Sequence, residues 1–184
     1  MITLQPFTKE DYTQLIEWVN SPALLLQWGG PRFTFPLDER QLDDYLSWHS
    51  PGRQVWKAVE TASGRTVGHI ELGNIDSKNR IGTITRVMIS PDVRGRGWGE
   101  RIMREAVRYG FETLQLHRIE LRVFDFNHAA IRCYEKVGFQ KEGLLRQCRR
   151  FGDEYWSLWI MSLLRPEWLK QKQEGGECKT TVDR

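Results

Sequence analysis

Residues 84–100 read Ile84-Thr85-Arg86-Val87-Met88-Ile89-Ser90-Pro91-Asp92-Val93-Arg94-Gly95-Arg96-Gly97-Trp98-Gly99-Glu100. An apolar, β-branched run ends at Ser90-Pro91, and glycines then alternate with Arg96 and Trp98 behind Arg94. Beyond Trp98 the apolar residues Ile102, Met103, Ala106, Val107 and Phe111 recur at helical spacing. The order is strand, glycine-rich loop, helix. The first N–H groups of a helix have no intrahelical partner and carry the positive end of its dipole, so this junction favours an anion. Glycine lets such a backbone approach a phosphate without a Cβ in the way. A tight turn into a helix would use the same residue types.

Spacing excludes two familiar phosphate loops. A dinucleotide fingerprint G-x-G-x-x-G fails because Glu100 stands at the third glycine of the series from Gly95. A Walker loop fails for want of Gly-Lys followed by Ser or Thr. The pattern that fits is R-x-x-G-x-G at Arg94, Gly97 and Gly99. Here the sequence resembles the GNAT superfamily of acyl-CoA-dependent N-acetyltransferases, whose pyrophosphate loop has that pattern after a strand.

The chain has 184 residues, 40% hydrophobic and 28% charged, enough for one globular domain with a sizeable core. Residues 1–168 are expected to form that domain and residues 169–184 a polar, flexible tail. The net charge of +3 is too small to argue for nucleic acid but is compatible with a polyanionic ligand. Arg-Gly-Arg-Gly-Trp occurs once, ahead of an amphipathic helix, unlike the repeated disordered arrays that bind RNA. The three cysteines, Cys133, Cys148 and Cys178, are far apart and lack metal-ligand spacing, so no metal is expected. No signal-peptide pattern or long apolar run is present, giving the expectation of a cytoplasmic protein without a membrane partner.

Around the glycine loop, residues 2–7 alternate as a short strand. Thr8 and Asp11 have capping-box spacing, and Phe7 and Tyr12 occupy hydrophobic-staple positions. Helices follow through Leu15 and Val19, from Pro22 to Trp28, and over residues 38–48. Residues 53–60, 65–75 and 80–90 read as three antiparallel strands. Residues 117–124 alternate as a strand, Asn127 caps a helix that Gly138 ends, and residues 139–149 and 154–164 form a last hairpin. Trp28, Phe33, Phe35 and Trp56 could wall an acceptor site or fill the core.

A second constellation runs from Asn127 to Phe139: N-x-x-A-x-x-x-Y-x-x-x-G-F, with Asn127, Ala130, Tyr134, Gly138 and Phe139. Taken singly, Asn127 fits a plain N-cap and Tyr134 a core aromatic. Together with the glycine loop, the segment resembles the second acyl-CoA segment of GNAT enzymes. The early helices and Trp28-Gly29-Gly30-Pro31 resemble, more weakly, the branch containing ribosomal-protein N-terminal acetyltransferases.

The resemblance implies an α/β (α+β) fold: a mixed, mostly antiparallel sheet of about seven strands, helices on both faces, and a parallel pair splayed at its carboxyl ends. It implies acetyl-CoA as co-substrate, cradled by Arg94, Gly95, Arg96, Gly97, Trp98, Gly99 and Glu100. Val87, Met88 and Ile89 would lie along pantetheine, with a carbonyl-polarising N–H near Met88, and Asn127 would hold the pantetheine amide. Tyr134 is the implied general acid. Glu71 is the first candidate for the base, with His69 and Glu120 behind it. The acceptor is expected to be a peptide α-amine or a small primary amine, and the protein a monomer or homodimer. A non-catalytic acyl-CoA-binding module is the alternative, which Tyr134 disfavours.

Overall fold

The structure is a computed structural model in which residues 1–177 are described. Seven strands form one sheet in the order β1-β2-β3-β4-β5-β7-β6. They are β1 (Ile2–Pro6), β2 (Gln54–Glu60), β3 (Thr66–Asp76), β4 (Ile81–Ile89), β5 (Arg118–Phe124), β6 (Gln140–Phe151) and β7 (Glu154–Leu164). Every neighbouring pair is antiparallel except β4–β5. Helices α1 (Tyr12–Trp18), α2 (Pro22–Gly29) and α3 (Glu39–Ser47) precede β2; α4 (Trp98–Arg108) joins β4 to β5, and α5 (His128–Val137) joins β5 to β6.

The sheet separates two cores. On one side α4 and α5 bury Ile102, Met103, Ala106, Ile131 and Val137 against Ile70, Leu72, Ile84 and Ile119. Ile102, Met103 and Ala106 belong to the run whose helical spacing marked an apolar face. On the other side α1–α3 bury Leu15, Leu25, Trp28, Leu42 and Tyr45 with Met88. The expected entry into the first helix is present. Asp11 accepts hydrogen bonds from the Thr8 N–H at 2.9 Å and the Thr8 hydroxyl at 3.2 Å, while the rings of Phe7 and Tyr12 stack.

Pairing decides where the sheet opens. β4 and β5 match from Ile81–Arg118 to Ile84–Leu121 and no further. Beyond that, β4 stays on β3 up to Gly68–Ile89, and β5 stays on β7 up to Phe124–Leu158. Each strand is thus held by its outer neighbour while the inner pair parts. Opposite Ile70, β4 carries two residues, Arg86 and Val87, where β3 has one; this bulge bends β4 away from β5.

One difference from the sequence expectation lies at the carboxyl end. Where apolar periodicity fades after Pro166, the chain continues as α6 (Arg165–Glu177), with Trp168 packed on Phe111 at 5.3 Å between ring centroids. Pro166 sits in the first turn, where its missing N–H costs nothing. The rest of the expected tail, residues 178–184, lies outside the described residues.

Gly68 of β3 pairs with Ile89 at the open stretch of β4. A Cβ there would stand 2.6 Å from the Met88 carbonyl oxygen and 2.7 Å from Ile102 Cδ1, and a paired strand's backbone cannot step aside. Gly68→Ala should therefore destabilise the fold by about 1–3 kcal/mol, the range for overpacking. Urea unfolding should show a lower midpoint at an unchanged m-value.

Candidate active site

The gap between β4 and β5 opens into a cavity of about 580 Å³. Its walls are residues 84–89 of β4, residues 121–124 of β5, the glycine loop, and the face of α5 that carries Asn127, Ala130, Cys133 and Tyr134. Every predicted cofactor residue except Arg96 lines it: Val87, Met88, Ile89, Arg94, Gly95, Gly97, Trp98, Gly99, Glu100 and Asn127. Arg96 is exposed.

The loop has the form its glycines require. Gly95 and Gly97 have φ of 75° and 79°, in the left-handed region that disfavours a side chain. Gly97 caps α4, and the first intrahelical bond runs from the Arg101 N–H to the Gly97 carbonyl at 3.3 Å. The N–H groups of Trp98, Gly99 and Glu100 therefore have no intrahelical acceptor and are available to an anion. A Cβ on Gly99 would meet Cys133 Sγ at 3.3 Å, so glycine here also lets α4 close on α5. The Glu100 carboxylate is drawn onto Arg104 at 2.9 Å. Arg94, Arg132 and Lys136 add positive charge along this end of the cavity. A free helix N-terminus, open backbone and three cations fit a polyphosphate.

Arg132 and Lys136 were not singled out from the sequence. Their i, i+4 spacing on α5 was visible, but its relation to the amino end of α4 depends on how the two helices pack. Asn127 serves a double purpose. Its Oδ1 accepts from the Ala130 N–H at 3.2 Å, which starts α5 and leaves the NH₂ group beside the cavity. At the other end, the Gly138 N–H bonds the Glu135 carbonyl and the Phe139 N–H bonds the Tyr134 carbonyl. With Gly138 at φ 111°, this is a Schellman closure. The helix between these caps turns Tyr134 inward, 9% exposed, with its ring 6.3 Å from that of Phe139.

The ladder refines which backbone groups face the gap. The Ser90 N–H bonds the Val67 carbonyl across the β3–β4 pair. Strand alternation then turns the Met88 N–H toward β3 as well, and the Ile89 N–H away from it. Met88 is thus corrected as the carbonyl-polarising donor, because its N–H points into the ladder. At the bulge, the Arg86 carbonyl accepts from Trp28 Nε1 at 3.0 Å and is 2.9 Å from His69 Nδ1. In a planar trans peptide the Val87 N–H points opposite that carbonyl, so the two contacts also fix its direction.

Glu71 is not what the sequence reading expected. It is 3% exposed and does not line the cavity. Its Oε1 accepts from Arg53 Nε at 3.0 Å; its Oε2 accepts from the Tyr45 hydroxyl at 2.6 Å and Arg86 Nη1 at 2.8 Å. Burial alone would raise its pKa, but the bonds from Arg53, the charge of Arg86 and the Tyr45 hydroxyl together hold it below the ordinary glutamate value. A carboxylate saturated by two guanidinium groups is a poor proton acceptor, and its place is structural. His69 is likewise buried, and burial pushes its pKa down to about 4, so it stays neutral. Glu120 does face solvent-accessible space, in a second chamber of about 290 Å³ that shares Gln27, Trp28, Thr85, Arg86, Arg122 and Phe124 with the first. Of the expected aromatic wall, Trp28 lines both chambers and Phe33 packs on it at 5.2 Å, whereas Trp56 belongs to the α4-side core and Phe35 is exposed.

Comparison with known proteins agrees with this geometry. Residues 1–140 match the family model described as an acetyltransferase (GNAT) domain. The chain belongs to the GNAT acetyltransferase family. Spermidine N(1)-acetyltransferase of Escherichia coli (strain K12) is 26% identical over 177 residues, covering 96% of this chain and 92% of that protein. Aminoglycoside N(6')-acetyltransferase type 1 of Klebsiella pneumoniae is 26% identical over 152 residues, covering 77% of this chain and 75% of that protein. In fold, the chain is similar to spermidine N-acetyltransferase from Vibrio cholerae, solved in complex with CoA and spermine. The TM-score is 0.79 at 23% identity, covering 91% of this chain and 98% of that one. This GNAT protein is an acyl-CoA-dependent N-acetyltransferase that moves an acetyl group from acetyl-CoA to a primary amine. The ribosomal-protein N-terminal branch is not shown by these relatives.

The Glu71 cluster has a pH signature. Its folded pKa lies below the unfolded one, so its contribution is complete above the ordinary glutamate range and is lost as pH falls through the folded value. His69 acts in the same direction from about 6.5 down to about 4, since the unfolded chain takes up the proton first. Glu71→Gln leaves two buried guanidinium groups unpaired and should cost about 3–5 kcal/mol near neutral pH. Denaturant titrations across pH should show that loss, together with a shallower acid limb than in the wild type.

Proposed function

We propose that transfer is direct, with the acyl group placed against the parted end of β4 and the amine arriving from the second chamber. The observation that carries this reading is one continuous space touching the α4 amino terminus, the unpaired edge of β4 and the buried hydroxyl-bearing ring of Tyr134. Acetyl-CoA brings the activated acyl group and takes away the displaced electron pair on sulfur. The remaining work falls to this chain.

The N–H groups of Trp98, Gly99 and Glu100, with Arg94, Arg132 and Lys136, hold the phosphate end. Asn127 and the open edge of Ile89 hold the pantetheine arm. The N–H group of Val87 is the donor for an acyl oxygen gaining negative charge. A preplaced donor of this kind contributes about 3–4 kcal/mol to the transition state. Tyr134 gives a proton to the leaving sulfur. Burial pushes its phenol above the usual value, so it is protonated throughout the working range. A sulfur leaving into the same dry space is raised for the same reason, which keeps the two groups matched. Cys133 beside it is no nucleophile, because burial, aided by the charge of Glu100, pushes its thiol up to about 11.

The amine must arrive unprotonated; the proton its nitrogen sheds as the amide forms passes to water, and water returns one to Tyr134. Arg122 lines both chambers, and its guanidinium disfavours an ammonium at the junction, lowering the amine's pKa without a dedicated base. Glu120 supplies a carboxylate farther along. A peptide α-amine or small primary amine, with a pKa near about 8, needs little more. The acceptors named for the relatives, spermidine and aminoglycosides, carry several amines and would bring several positive charges to this junction.

Tyr134→Phe keeps the ring and removes the proton. Stopped assays should show kcat reduced by about 100-fold or more, the scale of general acid catalysis. Calorimetry should show acetyl-CoA affinity within twofold of wild type. The wild-type kcat profile should have no alkaline limb below pH ~10, since the phenol ionises above its ordinary value. An unchanged kcat would remove Tyr134 from the chemistry.

A further inference from the structure

The second chamber is lined by residues 26–31 from the end of α2, Asn74, Thr83, Thr85, Leu158 and four charged side chains. Those four are Arg86, Glu120, Arg122 and Arg149. Arg86 is already spent, and Glu120 in part. Arg86 is 2.8 Å from Glu71 inside the buried cluster, and Glu120 lies 3.2 Å from Arg118, which also grips Glu142 at 2.6 Å. Among the described residues, neither Arg122 nor Arg149 has a carboxylate within ion-pair distance. Arg149 Nη1 donates to the neighbouring Cys148 carbonyl at 2.7 Å, which settles its guanidinium on the chamber wall. The acceptor chamber therefore carries uncompensated positive charge.

We infer that the acceptor is an amine that also carries an anionic group, a carboxylate or a phosphate, which Arg122 and Arg149 receive. The inference rests on the transferase reading and narrows its acceptor. Guanidinium groups match carboxylate and phosphate oxygens with paired N–H donors, and a pairing in a half-enclosed chamber is stronger than on open surface. A polycation meets the opposite situation. Each of its ammonium groups faces two arginines without an ion-pair partner, and Glu120, the one lining carboxylate among the described residues, is partly shared with Arg118. Like-charge juxtaposition of this kind works as negative selection against the wrong substrate. The arrangement also gives Arg122 two compatible effects: it attracts the anionic end and keeps the amine neutral at the junction.

The test uses acceptors with the same α-amine, an amidated carboxyl terminus and a different distal group: the dipeptide amides of Ala-Asp and Ala-Asn, of Ala-Ser and its O-phosphorylated form, and spermidine. Wild-type enzyme should favour Ala-Asp over Ala-Asn, or phosphorylated over plain Ala-Ser, by at least tenfold in kcat/KM; which pair shows the larger ratio identifies carboxylate or phosphate. Arg149→Gln should bring both ratios close to one through the acceptor KM, leaving the KM for acetyl-CoA unchanged. Arg122→Gln should do the same and also move the kcat/KM profile to higher pH. Equal rates within each pair, a preference that survives both substitutions, or spermidine outrunning every anionic acceptor would overturn the inference. Calorimetry of the same dipeptides on the CoA-loaded protein separates the two levels. Arg149-dependent binding without turnover would sink the transferase reading and leave the anion site standing, whereas absence of such binding would sink the anion site whatever the turnover.

Discussion

Much of this molecule turns on the peptide between Arg86 and Val87. Arg86 is a non-glycine residue at φ 53°, a conformation that costs of order 1–3 kcal/mol and persists only when its surroundings enforce it. Here they do so from three directions. α2 reaches it through Trp28 Nε1, β3 through His69 Nδ1, and the guanidinium is held on the Glu71 carboxylate. Two neutral hydrogen bonds at about 1 kcal/mol each and one charge-assisted bond of about 1.5–3 kcal/mol exceed the backbone cost. The bulge is therefore stable, and with it the bend that takes β4 away from β5.

From that bend the site follows. An unbroken parallel ladder would satisfy the inner edges of both strands and leave no room between them. Once pairing ends at Ile84–Leu121, the free edge of β4 faces a cavity instead of a strand. α4 begins just beyond, because Gly97 turns the chain into a helix whose first N–H groups look toward the same space. α5 closes the opposite wall and brings Tyr134 in. The helix amino terminus, the free strand edge and the Tyr134 ring are thus placed around one space by three junctions of strand and helix.

The buried cluster of Glu71, Arg53, Arg86 and Tyr45 looks like catalytic machinery when only residue types are considered. A glutamate on a strand beside the cofactor motif is a reasonable base. Its surroundings reverse that role, because both oxygens are occupied and ionisation is favoured, so it holds the bulge rather than taking a proton. Arg132, Lys136, Arg122 and Arg149 carry no signal in the sequence, and only packing gathers them along the two chambers.

Local chemistry written in the sequence determined a good deal. Alternation marked β2–β5 and the final hairpin to within a residue or two at most ends, helical spacing marked the buried face of α4, and Asn127 and Gly138 marked the ends of α5. Those features depend on near neighbours along the chain: a side chain's period, a cap's reach, a glycine's freedom at positive φ. The two glycine- and tyrosine-bearing motifs marked the cofactor end for the same reason, since each acts within about a dozen residues. Tertiary structure alone decided which backbone N–H faces the gap, because a bulge shifts alternation by one and its position depends on Trp28 and His69. It decided that Glu71 stays ionised with both oxygens occupied, because Arg53, Arg86 and Tyr45 are 15 to 26 residues away along the chain. It also decided the charge of the second chamber. Charge in a cavity is a sum over every element that lines it, and no single stretch of sequence contains that sum.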